Sequence, residues 1–80
     1  MKAYKITYGK ERDTHELYKS KFSDAKALYF KYKKHYISLK DKTAYFEIKY
    51  LNGIFKDMWK FSVIVSDNKW IISIVPIEIN

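Results

Sequence analysis

The chain has 80 residues with no cysteine, two glycines and one proline; 48% of it is hydrophobic and 31% charged, with a formal net charge of +7. That length holds one domain, residues 1–80, and excludes a multidomain enzyme. Eight Tyr, five Phe and two Trp exclude a disordered tail, and the missing cysteines exclude disulfides, Cys-based zinc sites and thiol catalysis.

Residues 3–8 alternate Tyr4, Ile6 and Tyr8 against Ala3, Lys5 and Thr7, which reads as a strand, and Gly9-Lys10-Glu11-Arg12 reads as the turn after it. Residues 14–20 fit two elements. Pairing back on the first strand gives ββαβββ; a helix capped by Asp13, with Glu16 as its box partner, gives βαβββ. The spacing of Tyr18, Phe22, Ala25, Tyr29, Tyr32, Tyr36 and Leu39 supports one long helix. Ser20 and Ser23-Asp24 look like a helix start, which favours the hairpin.

Residues 23–36 read as a helix. Ser23 suits the N-cap, Asp24 the positive end of the dipole, and Lys33, Lys34 and His35 the negative end. Ala25, Leu28, Tyr29, Tyr32 and Tyr36 form its apolar stripe, with Phe22 as a staple before the cap.

The C-terminal half reads as a three-stranded antiparallel meander over residues 43–51, 54–66 and 69–79. Asn52-Gly53 is a hairpin signal that pairs Leu51 with Ile54; Asp67-Asn68 is a second, pairing Ser66 with Lys69. Both registers place Ala44, Phe46, Ile48, Tyr50, Phe55, Trp59, Phe61, Val63, Val65, Trp70, Ile72 and Ile74 on one face, with only Asp57 breaking the pattern. Tyr45, Glu47, Lys49, Lys56, Met58, Lys60, Ser62 and Ser73 fall on the solvated face. The last strand is also apolar at its outer positions Ile71, Val75, Ile77 and Ile79, which implies a covered central strand or a homodimer interface. The fold class is therefore a small α+β domain, an antiparallel sheet packed on one helix.

The positive charge is unevenly spread. Residues 1–21 hold six cations and three anions, residues 22–42 six and two, and residues 43–80 four and four. All but one cation is Lys, Arg12 being the exception, which disfavours base-specific readout. An A/T-rich genome would also inflate Lys, Ile, Tyr and Phe. On the outward side of the helix, Lys26, Lys31, Lys33 and Lys34 surround Phe30, the best candidate binding site. It suits an acidic protein groove with one hydrophobic anchor, or phosphate backbone with one stacking contact. The outer sheet face, with Tyr45, Lys49, Lys56, Met58 and Lys60, is a rival platform for single-stranded bases.

No chemistry-bearing motif is present. His15 sits in the polar run Glu11-Arg12-Asp13-Thr14-His15-Glu16, which reads as a turn, and His35 complements the helix dipole. Neither matches a metal or acid–base spacing, and no cofactor is expected. The N-terminus has no apolar h-region and the most apolar stretch, residues 70–79, is half of a membrane span. A cytoplasmic protein with no membrane partner is expected. Trp59 to Val65 followed by Trp70 to Ile74 resembles the last two strands of mRNA-cleaving bacterial toxins of the RelE type. Those toxins place Arg, His or Tyr on and after these strands, where this chain has Pro76-Ile77-Glu78-Ile79-Asn80. Small Lys/Ile/Tyr-rich chains are typical of phages, viruses and plasmids. The expected function is accordingly a non-enzymatic inhibitor docking its lysine-rich helix face on a host nucleic-acid-processing or defence protein, with sequence-nonspecific DNA or RNA binding as the first alternative and a RelE-like mRNA-cleaving toxin, which the resemblance implies, as the second.

Overall fold

A computed structural model describes residues 2–78. The elements run β1 (Lys2–Lys10), β2 (Asp13–Lys19), α1 (Phe22–Ile37), β3 (Lys42–Lys49), β4 (Trp59–Val65) and β5 (Asn68–Glu78). One five-stranded sheet has the order β2-β1-β5-β4-β3, every neighbouring pair antiparallel, with α1 on one side. This is the α+β class expected, in its ββαβββ form: residues 14–20 pair with β1.

The β1–β2 hairpin closes at Lys10 and Asp13 around Glu11-Arg12. Gly9 has φ +115, and a Cβ there would meet the Asp13 carbonyl oxygen at 2.8 Å, so the approach of the two strands requires glycine. Tyr4, Ile6 and Tyr8 face the helix as expected. His15, read as part of a turn, instead lies within β2 opposite Tyr8, its ring 5.5 Å from the tyrosine ring.

The helix covers the expected span but starts differently. Lys21 occupies the N-cap in an extended conformation with no side-chain cap, and Ser23 lies inside the first turn. The reason is Phe22, whose ring packs 5.2 Å from Tyr4 and 5.6 Å from Trp59; the helix begins at the residue the core takes. Ala25, Tyr29 and Tyr36 are buried against Tyr4, Ile6, Phe61, Val63, Ile72 and Ile74. The Tyr36 hydroxyl donates to the Ile71 carbonyl at 2.8 Å and accepts from the Gly9 amide at 3.0 Å, tying α1 to both β5 and β1. A helix is ~10–12 Å across, narrower than five strands at ~4.8 Å spacing. α1 accordingly packs on β1, β2, β4 and β5, and β3 is an edge strand outside its footprint.

Both turns of the meander differ from the sequence reading, with different consequences. The β4–β5 turn is Ser66-Asp67, both at positive φ (48 and 65), the arrangement of a two-residue primed hairpin turn. Pairing Val65 with Asn68 moves the register by two residues, so Phe61, Val63 and Ile72 keep their face. The β3–β4 connection is not a tight Asn52-Gly53 turn. It is a longer loop with a 3-10 turn at Gly53–Phe55, Asp57 at φ 69, and closing hydrogen bonds between Tyr50 and both Asp57 and Met58. Lys49 now pairs with Trp59 and Tyr45 with Val63, a three-residue shift from the expected register. An odd shift reverses a strand. Tyr45, Glu47 and Lys49 therefore point to the helix side, and Ala44, Phe46 and Ile48 to the bare side, the opposite of what the hairpin signal implied.

The bare side also carries Ile71, Ser73, Val75 and Ile77 of β5, as expected, and Lys60, Ser62 and Ile64 of β4. Ile79 lies outside the described residues.

Candidate functional site

The lysine patch around Phe30 is only partly an outward surface. Lys31 and Lys34 are exposed, and Phe30 is 46% exposed. Lys26 turns back over the Phe22 ring at 5.1 Å. The Phe30 ring packs edge-on against Trp59 and Tyr29, each at 5.7 Å. Lys49 then lies over both Trp59 (4.4 Å) and Phe30 (5.5 Å). Phe30 is thus the outer member of an aromatic cluster, with one side held by the fold and the other open between lysines.

Lys33 turns from the solvent face toward the sheet, its side chain 22% exposed. Its ammonium donates to Glu47 at 2.7 Å and sits 5.4 Å over the Phe61 ring. The same carboxylate oxygen accepts from the Tyr29 hydroxyl at 2.6 Å. Burial pushes the Glu47 carboxyl up, but the hydrogen bonds from Lys33 and Tyr29 and the charges of Lys33 and Lys49 outweigh it, so the group lies below the usual carboxylate range. Desolvation, then Glu47, pushes the Tyr29 phenol well up. Glu47 is therefore the clasp between α1 and the uncovered edge strand. Sequence reasoning placed it on the solvated face, and only the register brings it to Tyr29.

The rival platform is divided by the same register. Tyr45 and Lys49 lie on the helix side; Met58 and Lys60 lie on the bare side, and Lys56 is in the loop. The set does not form one surface. Conversely, the fold assembles a group the sequence did not signal. His15 and His35, 20 residues apart in the chain, line one cleft of about 340 Å³ with Tyr8, Tyr32, Tyr36, Trp70 and Lys10. Its wall is a run of rings: Tyr8 stacks on Tyr32 at 4.6 Å, and Tyr36 packs at 5.8 Å from Trp70.

The charge asymmetry carries over into three dimensions. The eight lysines from Lys19 to Lys42 belong to the end of β2, α1 and the loops and strand start flanking it, whereas the bare face carries Lys5, Lys60 and Glu16. Among the described residues no three His, Asp or Glu side chains come together as a metal site, and no helix is long and apolar enough to cross a membrane. No family model, curated protein or solved structure matches the chain.

Proposed function

We propose that the protein acts by binding, with its basic helix layer docked in an acidic groove of a nucleic-acid-processing or defence protein inside the cell, as an inhibitor carried by a phage, virus or plasmid. One observation carries this reading: Phe30 stands half-exposed beside Lys26, Lys31 and Lys34, braced from below by Trp59. A rigid aromatic anchor within a charged rim is the anatomy of a protein-docking hot spot. Lysine without arginine supplies long-range attraction to an acidic surface without bidentate phosphate recognition. A second copy of the chain is the other partner we propose, on the outer side of the last strand.

Direct nucleic-acid binding is tested by salt. Duplex and single-stranded DNA and RNA should be ignored at ~50 mM salt; retention with log affinity falling by ~0.7–0.9 per phosphate contact against log salt would establish the alternative. Lys31→Glu with Lys34→Glu, both exposed, should abolish capture of the partner from host lysate while the fold is retained. Equal capture by wild type and variant refutes the docking reading.

A further inference from the structure

The sheet face away from α1 is bare and more apolar than the sequence pattern implied, because the β3 register adds Phe46 and Ile48 to Ile64, Ile71, Val75 and Ile77. Phe46 is 54% and Ile64 39% exposed. Beside the ridge they form lie two hollows. One of about 320 Å³ is floored by Ile48, Met58, Ser73 and Val75, and one of about 190 Å³ by Ala44, Ser62 and Ile64. A protruding ring and a hollow on one surface are what a two-fold, self-complementary interface requires.

We propose that two copies of this chain pack face to face through this surface. Three observations favour a second copy over edge pairing or an unlike partner. First, the face is nearly neutral in a chain of net charge +7: Lys5 and Lys60 stand against Glu16, and Lys69 at the rim is already paired with Glu11 at 3.7 Å. Packing this way leaves the basic helix layers on the two outsides. Their axes stand roughly 30 Å apart, counting ~10 Å between sheets and ~10 Å from each sheet to its helix, several Debye lengths at ordinary salt. Second, both sheet edges are blunted against strand addition. β2 is charged along its length, and β3 is bounded by Lys42 and Lys49 with a register shift between Lys42 and Ala44. Third, the area suffices. Five strands and about seven residues of each give a planar footprint of roughly 500 Å², which side-chain relief raises toward the ~800 Å² per partner of a stable interface. The chain exposes 5723 Å², where a monomer of its mass typically exposes roughly 5,100 Å².

The inference extends self-association from one strand to the whole face and does not rest on the docking of the helix layer. Its test is sedimentation equilibrium from 1 to 500 μM at 0.15 M salt, with circular dichroism to establish that each variant is folded. Wild type should pass from 9.7 kDa to twice that mass. Phe46→Lys, and independently Ile64→Lys, should weaken association at least 100-fold. Ile37→Lys, at an exposed position of α1 on the other side of the sheet, should leave it unchanged. A wild type that stays monomeric over the whole range overturns the proposal, as does a dimer broken by Ile37→Lys and not by Phe46→Lys or Ile64→Lys. Loss of the dimer in Lys31→Glu/Lys34→Glu places the interface on the helix layer and overturns it too.

Discussion

Replacing Glu47 by alanine tests the arrangement on which the helix–edge contact depends. The carboxylate accepts two short charge-assisted hydrogen bonds, 2.6 Å from Tyr29 and 2.7 Å from Lys33. Such bonds are worth ~1.5–3 kcal/mol each, but here both end on one oxygen, and Lys33 regains water when released. One full bond plus a small ion-pair remainder gives a loss of ~2–4 kcal/mol, much of the ~5–8 kcal/mol expected for so small a domain. At ~4–8 °C per kcal/mol the midpoint should fall by roughly 8–32 °C. Urea unfolding followed by tryptophan fluorescence, with an unchanged m-value, measures it. Tyr29→Phe should cost less and couple to Glu47→Ala by ~1–2 kcal/mol in a double-mutant cycle.

Acid provides a second readout with a definite sign. The folded pKa of Glu47 lies below its unfolded value, so its contribution is present above the ordinary carboxylate range and disappears as pH falls through the lowered folded value. Wild type should lose stability across that window, and Glu47→Gln should lose less. In the register implied by Asn52-Gly53, Glu47 would stand on a solvated face, where substitution stays within ~0.5 kcal/mol. A change that small, with no difference in acid dependence, refutes the β3 register and with it the bare-face composition.

Four further outcomes follow from individual contacts. Ser66→Asn with Asp67→Gly should raise stability by ~0.5–1 kcal/mol, because both positions hold positive φ that L side chains resist; a lowered melting midpoint contradicts the turn assignment. Tyr36→Phe should cost ~1–3 kcal/mol by removing the partner of two backbone groups, and amide exchange at Gly9 should accelerate. Trp59→Ala should cost ~3–5 kcal/mol, since Trp59 packs against Phe22, Tyr29 and Phe30. Phe30→Ala should cost about 1 kcal/mol and leave a folded domain without its proposed docking anchor; an unfolded Phe30→Ala chain, read by circular dichroism, makes that ring structural.

What the sequence disclosed, and what it hid, divides along the footprint of the helix. Under α1, alternation and burial agree: Tyr4, Ile6, Phe61, Val63, Ile72 and Ile74 face the core as their periodicity implies. Misplacing the Ser66-Asp67 turn by one position changes the pairing by two and reverses nothing. At β3 the same kind of error is decisive, because no helix lies above the strand to penalise the wrong face. Its alternation is nearly symmetric, Tyr45, Glu47 and Lys49 against Ala44, Phe46 and Ile48, so hydrophobic burial alone chooses weakly between faces. Polar chemistry chooses instead. One orientation gives Glu47 the Tyr29 hydroxyl and the Lys33 ammonium, and gives Lys49 the faces of Trp59 and Phe30; the other would leave the hydroxyl of fully buried Tyr29 without its acceptor. The residue that interrupted the expected pattern, Asp57, marks the place: it is a left-handed loop position, not a flaw in a strand. The lysine patch follows from this. Lys33 and Lys49 look like free cations in the sequence, yet each is committed to the helix–edge clasp, and of the lysines around Phe30 the exposed pair is Lys31 and Lys34.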